Sequence, residues 1–399
     1  MQNKSVVVIG MGYVGLPLAI SAAKSGFHVT GLDIDSVKIE ELNIGNLAVS
    51  GISRQDISNL KSLGRLAFTS NYDCILGASI IVVCVPTPLN AASEPDLSFV
   101  IDSATAISSR LKVNSLIILE STVAPGTTRN VFAPIVKSHF SESEKSIYVS
   151  YSPERIDPDN KEWNISNTPK LVSGMCNKSK KLAIDFYSEF INQIVECNSM
   201  EVAEASKLLE NSFRLVNISF INEFAVYCNA TGIKPLEVIS VASTKPYGFM
   251  PFYPGLGAGG HCIPVDPLYL SHAADTCGVN LSLLKSAVSV NNEIPNYFVR
   301  KVSEIFGDVD KKRILVLGVA YKPNLSDTRE SPVEKFVIGL ESNGANVKWH
   351  DELVKNWRGQ TSSPISGDYD LLIIATKHSY INLSKLPKIP LLDLQDLQK

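Results

Sequence analysis

The segment Gly10-Met11-Gly12-Tyr13-Val14-Gly15 decides how the N-terminal part of this 399-residue chain folds. It directly follows an apolar run, Ser5–Ile9, whose length and β-branched residues predict a buried strand, and it begins a stretch with helical periodicity. In a strand–turn–helix, the first two glycines allow a tight turn beside a pyrophosphate, and the third lets the helix pack closely on the strand. The segment therefore predicts a dinucleotide-binding unit of the doubly wound α/β type.

An acidic residue follows at the distance that such a site requires. Asp33 ends the next apolar run and lies 18 residues after Gly15, where a carboxylate can accept hydrogen bonds from the ribose hydroxyls of the cofactor. No arginine comes directly after it, and Asp35 adds a second negative charge that would repel a 2′-phosphate. The sequence therefore predicts NAD, and not NADP; the alternative is a glycine-rich turn that binds nothing.

Further apolar runs predict a parallel sheet wrapped by helices in the first half of the chain, because strands buried on both faces are apolar throughout. These runs are His28–Leu32, residues 80–85, Leu116–Leu119 and Tyr148–Tyr151. The segment Met200–Thr231 then lacks both Gly and Pro, which predicts one long helix that ends at Gly232.

A second α/β unit is predicted after helical sequence that continues to about Phe306. Its elements are strands at Arg313–Leu317, 347–350 and 371–375 and a helix at Pro332–Ser342. The fold class is therefore α/β, with two Rossmann-like doubly wound domains joined by a long helix and a central helical domain. The expected domains are residues 1–199, 200–306 and 307–399.

Composition and charge narrow the partners and the location. The chain has 37 Lys and Arg against 40 Asp and Glu, and this net charge of −3 gives no reason to expect nucleic acid or an anionic membrane as partner. Seven cysteines without a CxxC pair predict reduced thiols in a cytoplasmic protein. The stretch between Lys4 and Lys24 is interpreted as the strand, turn and helix above and not as a signal peptide, and no other segment is apolar enough to span a membrane.

A glycine-rich loop, residues 253–266, holds the strongest candidate for a nucleophile. Most cysteines are small buried hydrophobes, and six of the seven are interpreted in that way. Cys262 differs because the glycines before it allow a substrate to approach the backbone, and Asp266 supplies a carboxylate four residues later. The neighbouring His261 has no second ligand at a suitable spacing, so no metal is expected.

Three polar residues share one face of the predicted long helix. Lys207, Asn211 and Arg214 lie at positions i, i+4 and i+7. A solvated polar stripe is the alternative interpretation of this pattern. The helix is expected to be buried between domains, where polar side chains need partners, and this favours a functional role.

With these residues in place, the sequence resembles a known family over nearly its whole length, the UDP-sugar 6-dehydrogenases (UDP-glucose and UDP-N-acetylhexosamine dehydrogenases). The motifs that carry the resemblance, in the family's order, are residues 10–15 with Asp33, 84–88, 120–123, 152–155, 204–211, 259–266, and 321–323 with 327–331. The resemblance implies oxidation of the C6 hydroxyl of a UDP-sugar to a carboxylate. This reaction needs two hydride transfers to NAD and an acyl intermediate that water releases.

The resemblance also implies roles for individual residues. The catalytic set is Cys262 as nucleophile, Lys207 and Asn211 as oxyanion-stabilising groups, Asp266 and Thr122 as groups that position a water, and Glu154 as the base for thioester hydrolysis. The implied cofactor contacts are Gly10, Gly12, Tyr13, Val14, Gly15, Asp33, Lys38, Thr87, Thr122 and Arg329. The implied substrate contacts are Glu154, Arg155, Ile156, Lys207, Asn211, Arg214, Phe252, Tyr253, Gly259 and Lys322.

Within the family, the sequence looks most like the branch that acts on UDP-N-acetylglucosamine. Arg155 directly after Glu154, together with the segments 244–249 and 252–255, carries this likeness. A surface ion pair is the alternative role for Arg155. UDP-glucose, UDP-N-acetylgalactosamine and UDP-N-acetylmannosamine therefore stay open as substrates.

Two interpretations from other classes also stay open. A β-hydroxyacid dehydrogenase can share the three-part plan, but it makes a single hydride transfer and needs no cysteine in a glycine-rich loop. A protein that senses NAD without turnover would have no use for Lys207, Asn211 and Cys262. The family resemblance further implies a homodimer or higher homo-oligomer around the long helix, and precursor supply for surface polysaccharide.

Overall fold

The computed structural model describes residues 5–45, 52–140, 147–157, 160 and 162–395. The chain divides into two compact units, Met1–Leu209 and Glu210–Lys399. The boundary falls inside a single helix, Met200–Thr231, which therefore contributes residues to both units. The division into three domains that the sequence suggests stays a prediction.

The first unit is built on one eight-stranded sheet. Its strands are β1 Ser5–Ile9, β2 His28–Leu32, β3 Leu66–Thr69, β4 Ile80–Val83, β5 Leu116–Leu119, β6 Tyr148–Tyr151, β7 Lys170–Gly174 and β8 Ile194–Glu196. Its helices are α1 Gly15–Lys24, α2 Ser36–Asn43, α3 Arg54–Ser62, α4 Ser98–Ser108, α5 Ala133–Val136 and α6 Asn177–Tyr187. The strand order is β3-β2-β1-β4-β5-β6-β7-β8, and every neighbouring pair is parallel except β6 and β7. The first six strands have the order of the dinucleotide-binding fold, which confirms the doubly wound prediction.

The central strands are buried on both faces, as their apolar sequences predict. Val6 and Val8 of β1 pack into one hydrophobic core, and Val7 and Ile9 pack into another, because successive side chains of a strand point to opposite faces. The strand predicted at residues 80–85 ends at Val83, because the chain leaves the sheet ahead of a proline that cannot extend the ladder.

The helical part of the chain begins with α7, Met200–Thr231, which has the predicted bounds. Gly232 follows it with φ +71°, a left-handed conformation that glycine adopts readily and that commonly ends helices. The helices α8 Pro235–Ala242, α9 Asp266–Thr276 and α10 Ser282–Phe306 come next. Within the described residues, no helix is both long and apolar enough to cross a membrane.

The second unit ends in a smaller parallel sheet. Its elements are β9 Arg313–Leu317, α11 Pro332–Ser342, β10 Asn346–His350, β11 Asn356–Trp357, β12 Gln360–Thr361, β13 Leu371–Ile374 and β14 Leu391–Asp393. The order is β10-β9-β13-β14, while β11 and β12 form a separate antiparallel pair. The predicted elements differ from the observed ones by one residue at most, which confirms the second α/β unit.

Candidate cofactor and active-site residues

The turn between β1 and α1 has the geometry that a phosphate-binding turn needs. Gly10 has φ +93°, and a Cβ there would lie 2.6 Å from the carbonyl oxygen of Cys84, so no larger residue fits. A Cβ on Gly15 would collide with the carbonyl group of Gly10, so α1 can pack this closely on the strand only because residue 15 is glycine. A Cβ on Gly12 would meet nothing within 4 Å, so the backbone is open to an anionic ligand here.

Asp33, at the end of β2, is joined to this turn by hydrogen bonds. Its carboxylate accepts from the backbone N–H groups of Met11 (2.8 Å) and Asp35 (3.0 Å) and from Lys38 Nζ (2.9 Å). The glycine turn and the ribose-binding carboxylate of the predicted NAD site therefore lie together. The Lys38 ion pair was not anticipated, and its positive charge offsets part of the repulsion that Asp33 and Asp35 exert on a 2′-phosphate.

The other predicted residues of the first unit follow the carboxyl ends of parallel strands, where ligands bind in doubly wound sheets. Thr87 lies four residues after β4, Thr122 three residues after β5, and Glu154 three residues after β6. Tyr13 and Val14 lie in the glycine turn after β1, and Tyr13 is 40% exposed. The fold thus brings residues that are far apart in sequence to the same edge of one sheet.

Glu154 faces a lysine on the long helix. Lys207 Nζ lies 3.8 Å from Glu154 Oε2, and the two side chains are 7% and 13% exposed. Burial raises the pKa of Glu154 above its ordinary value, while the charge of Lys207 and a hydrogen bond from the backbone N–H of Ile156 oppose this shift. A carboxylate with a raised pKa accepts a proton from water more readily near neutral pH, which suits a general base.

Arg155 and Ile156 extend this site within the first unit. Arg155 Nη1 donates a hydrogen bond to the carbonyl oxygen of Pro169 (2.7 Å), so the arginine holds the segment that leads into β7. Both residues line a pocket together with Glu154. The structure therefore places Arg155 beside a candidate catalytic residue, in a position to order a neighbouring loop.

Glu204, one helical turn before Lys207, joins α7 to the segment after Thr122. It is fully buried, and its carboxylate accepts hydrogen bonds from the backbone N–H groups of Gly126 (2.6 Å) and Thr128 (2.9 Å). Burial raises the pKa of Glu204 to about 7, although these hydrogen bonds oppose the shift. Sequence reasoning did not assign Glu204 a role; its position three residues before Lys207 was the available signal.

The glycine-rich loop of the second unit presents Cys262 at an exposed position. The backbone N–H of Asp266, the first residue of α9, donates to the carbonyl oxygen of Cys262 (2.9 Å). Asn211 Nδ2 donates to Asp266 Oδ2 (2.6 Å), and these two residues are 6% and 3% exposed. Three of the six predicted catalytic residues therefore lie close together in this unit.

Two asparagines that sequence reasoning missed hold the cysteine loop. Asn291 of α10 accepts a hydrogen bond from the backbone N–H of Ala258 (2.6 Å) and donates to its carbonyl oxygen (3.2 Å). Asn222 of α7 accepts from the backbone N–H of Gly255 (2.9 Å). Both asparagines are at most 8% exposed, so a polar residue within an otherwise apolar helix face was the signal for them.

Gly259 lies against the segment that carries Lys322 and Arg329. A Cβ on Gly259 would lie 2.8 Å from the backbone carbonyl oxygen of Glu330, so glycine is required for this close approach. Arg329 forms an ion pair with Asp327 (2.6 Å), and Lys322 is half-buried.

Burial lowers the pKa of His261, and the positive charge of Arg329 adds to the effect. Among the described residues, no three His, Cys, Asp or Glu side chains are grouped so that they could hold a metal ion.

Arg214 does not share the burial that was expected for the polar face of α7. Lys207 and Asn211 are buried, whereas Arg214 is exposed, since a long side chain can keep its guanidinium group in water. Phe252 packs edge-to-face on Phe213 with ring centroids 6.0 Å apart, and Tyr253 is 65% exposed.

The second sheet repeats one feature of the first with a different outcome. Asp351 follows β10 as Asp33 follows β2, and each accepts a hydrogen bond from the backbone N–H after a positive-φ glycine, at 3.0 and 2.8 Å. Asp351, however, is 1% exposed, lies 3.0 Å from His378 Nε2 and accepts a hydrogen bond from the Tyr380 hydroxyl (3.1 Å). Protein side chains therefore occupy the lone pairs that a ribose would use in a dinucleotide site.

Comparison with known proteins matches nearly the whole chain to one family of dehydrogenases. Residues 4–191, 201–293 and 315–390 match the NAD binding domain, the central domain and the UDP binding domain of the UDP-glucose/GDP-mannose dehydrogenase family. The chain is 34% identical to the UDP-N-acetyl-D-glucosamine 6-dehydrogenase of Pseudomonas aeruginosa over 392 residues, which cover 95% of this chain and 92% of that protein. It is 33% identical to the UDP-N-acetyl-D-mannosamine dehydrogenase of Pyrococcus horikoshii over 380 residues, which cover 94% and 89%. A solved structure of a UDP-D-ManNAc dehydrogenase from Pyrococcus horikoshii matches with a TM-score of 0.87 and 29% identity, and covers 99% of this chain and 100% of that one.

The glycine turn and its sheet fit a dinucleotide, and the matches to an NAD binding domain and to UDP-sugar dehydrogenases define an NAD-dependent oxidoreductase. The chain belongs to the UDP-glucose/GDP-mannose dehydrogenase family and is an NAD-dependent 6-dehydrogenase of UDP-sugars. The family predicted from the sequence motifs is confirmed. Neither a β-hydroxyacid dehydrogenase nor an NAD sensor without turnover accounts for matches to all three domains.

Proposed function

We propose that this dehydrogenase oxidises UDP-N-acetylglucosamine to UDP-N-acetylglucosaminuronate, with Cys262 as a covalent nucleophile. The observation that carries the covalent chemistry is the buried Asn211–Asp266 hydrogen bond beside an exposed cysteine in a glycine-rich loop. The Asn211 amide has two N–H groups, of which Asp266 accepts one, so the other can stabilise an oxyanion. Lys207 is assigned to the same oxyanion, in line with the family resemblance.

The proposed reaction consists of two oxidations followed by a hydrolysis. In the first oxidation, C6 loses a hydride and its hydroxyl loses a proton to a water, to which Asp266 and Thr122 are assigned as positioning groups. The thiolate of Cys262 adds to the aldehyde, and the resulting thiohemiacetal, as its oxyanion, loses a second hydride to become a thioester. Water that has given a proton to Glu154 then attacks the thioester, the thiolate leaves, and the carboxylate is released. NAD, when bound, accepts one hydride in each oxidation.

The choice of sugar is supported by similarity and by one structural feature. The relative from Pseudomonas aeruginosa is named for UDP-N-acetyl-D-glucosamine. Arg155 lies beside Glu154 and orders the segment before β7, so it can shape the space around an acetamido group. UDP-N-acetylmannosamine is the second candidate, because relatives of nearly equal identity are named for it.

A panel of four UDP-sugars tests the proposal. UDP-N-acetylglucosamine should have a kcat/KM at least about tenfold above that of UDP-glucose, the ratio that ~1.4 kcal/mol provides. UDP-N-acetylmannosamine and UDP-N-acetylgalactosamine complete the panel, and a higher kcat/KM for either would replace the assigned sugar. Each sugar should yield two NADH and a uronate, since the acid lies two oxidations beyond the alcohol.

Two cysteine variants test the nucleophile. Cys262→Ala should bind NAD but form no uronate. Cys277→Ala, which removes another exposed cysteine of the same unit, should behave like the wild type. Uronate formation at the wild-type rate by Cys262→Ala would show that the nucleophile lies elsewhere.

We also propose that the protein forms a homodimer along α7. The helix carries an apolar stripe of residues between 48% and 63% exposed, namely Val202, Leu209, Phe213, Phe220 and Tyr227. Their spacings of 7, 4, 7 and 7 residues keep them on one face over about 37 Å of helix. A stripe with this spacing is typical of a helix that packs against a second helix, and a copy of α7 offers the complementary surface.

Analytical ultracentrifugation tests the dimer. Phe220→Glu places a charge within the stripe and should give a monomer at concentrations where the wild type is a dimer. Leu63→Glu changes an equally exposed residue that lies off the stripe and should leave the dimer intact. A monomeric wild type, or a dimeric Phe220→Glu, would contradict the proposal.

A further inference from the structure

The pocket beside Glu154 contains charged groups that the proposed mechanism does not use. Besides Glu154 and Arg155, it is lined by Glu120 and Lys170, among apolar side chains and the side chain of Thr168. Glu120 comes directly after β5, and Lys170 is the first residue of β7. Both are therefore fixed by strands of the sheet whose edge carries the candidate catalytic residues.

Glu120 and Lys170 form a buried ion pair. Lys170 Nζ lies 2.9 Å from Glu120 Oε2, and the side chains are 10% and 1% exposed. The hydroxyl of Tyr187 donates to the other carboxylate oxygen of Glu120, and Lys170 Nζ lies 5.1 Å from the centroid of the Tyr187 ring. Burial raises the pKa of Tyr187 well above its ordinary value, so the hydroxyl stays a neutral donor. Buried ion pairs contribute little net stability compared with apolar side chains, which favours a functional reason for this one.

The pair completes a row of four buried charges whose signs alternate. Lys207 is close to Glu154, Glu154 shares its pocket with Lys170, and Lys170 is paired with Glu120. The positive charge of Lys170 lowers the pKa of Glu154, and the negative charge of Glu120 raises it. The thiol of Cys84 also faces these groups; burial raises its pKa well above the ordinary value, so it adds no charge.

We propose that Lys170 and Glu120 are positioning residues for the hydrolytic step, which act by setting the charge of Glu154 when water attacks the thioester. The proposal rests on the proposed role of Glu154. Lys170 keeps Glu154 ionised, as a base must be before it accepts a proton. Glu120 neutralises part of the lysine charge, so that Glu154 does not become too weak a base.

Two single variants should move the pH dependence of turnover in opposite directions. In Lys170→Met the charge of Glu120 stays near Glu154, so the midpoint of the acidic limb should rise, by about one pH unit if the charges interact at the usual strength. In Glu120→Gln the charge of Lys170 stays, so the midpoint should fall. The double variant removes both charges and should return the midpoint towards that of the wild type. Lys180→Met, which breaks a partly exposed ion pair with Glu196, is the matched control and should cause no shift.

Rapid mixing with excess NAD and UDP-N-acetylglucosamine isolates the step. Both hydrides leave before the thioester is hydrolysed, so a hydrolysis defect should give a fast burst of two NADH per site, followed by slow turnover. Glu154→Gln should show this burst. If Glu154→Gln turns over without one, the proposed role of Glu154 is wrong.

If the burst appears but Lys170→Met and Glu120→Gln shift the midpoint in the same direction, or not at all, the inference is wrong and the proposed function stands. A merely structural defect lowers the rate at every pH and does not produce shifts of opposite sign. Should Lys170→Met fail to fold, Glu120→Gln and the double variant carry the comparison, because neither leaves an unpaired carboxylate in the pocket. In that case a midpoint that does not fall in Glu120→Gln would overturn the inference.

Discussion

Replacing Glu204 with glutamine should change how the stability of the first unit depends on pH. Burial raises the pKa of Glu204 from its ordinary 4.5 to about 7. The folded protein therefore binds this proton more tightly than the unfolded chain does. The stabilisation is fully present below pH 4.5 and is lost as the pH rises through about 7. Glutamine cannot ionise, so the variant lacks this dependence.

The size of the effect follows from the shift. A difference of about 2.5 pH units corresponds to about 3.5 kcal/mol, at roughly 1.4 kcal/mol per unit. Glutamine keeps one acceptor for Gly126 or Thr128 and places an amide against the other N–H group, which should destabilise the variant by about 1–3 kcal/mol at every pH. At pH 5 the variant should therefore be less stable than the wild type, and by pH 8 the difference should have closed or reversed.

The measurement is the difference in thermal midpoint between wild type and variant at pH 5, 6, 7 and 8, together with hydrogen exchange at residues 124–130. Glu201→Gln is the matched control on the same helix. A hydrogen bond from Arg129 lowers the pKa of Glu201 to about 2, so this residue stays ionised over the whole range and its variant should show a constant difference. A constant difference for Glu204→Gln as well would refute the reasoning.

Three further predictions follow from other contacts. NAD should support turnover better than NADP by about 2 kcal/mol, the lower end of the cost of an unpaired buried charge, because Lys38 offsets part of the repulsion. Asp33→Ala should narrow this margin, and equal use of both cofactors by the wild type would contradict the prediction. Asn291→Ala removes both hydrogen bonds to Ala258 and should lower kcat at least about tenfold without changing NAD affinity. Asn291→Asp keeps the acceptor, so its kcat should fall less. An unchanged kcat in the alanine variant would show that the loop does not need these hydrogen bonds. Arg155→Ala should lower kcat/KM for UDP-N-acetylglucosamine more than for UDP-glucose, and an equal loss on both substrates would remove Arg155 from the choice of sugar.

Strands buried on both faces and long uninterrupted helices could be predicted from the sequence because their signals are local. β5 is apolar throughout, β1 is apolar after its first residue, and α7 runs for 32 residues without Gly or Pro. Two of the strands that were not predicted lack such signals. In β3 buried and exposed residues alternate over only four positions, and β8 is three residues long with no buried residue. A short strand at the edge of a sheet has too few residues to show a period.

The residues of the candidate site also differ in whether a local sequence signal could predict them. The glycine turn of the NAD site and the cysteine loop could be predicted because the required residue types are neighbours in sequence. Positions that need a positive φ favour glycine, and such glycines can be recognised in the sequence. The supporting contacts could not: Lys170 and Glu120 are 50 residues apart, and Glu204 and Gly126 are 78 apart. A single buried carboxylate or lysine has no pattern of its own, since its partner is chosen by the tertiary fold.

The two sheets show why the topology of a domain does not fix what it binds. Both place a carboxylate after the second strand of a parallel sheet and use it to hold the glycine turn before it. In the first unit the remaining partners of Asp33 are a backbone N–H and one lysine at the surface, and the glycine turn is open at Gly12. In the second unit a backbone N–H donates to His378 Nδ1 (2.9 Å), so the Nε2–H group is directed at Asp351, and the Tyr380 ring stacks on the histidine. The same backbone arrangement therefore gives the carboxylate predicted to bind NAD in one sheet and a buried structural one in the other, and the side chains packed on the acid make the difference.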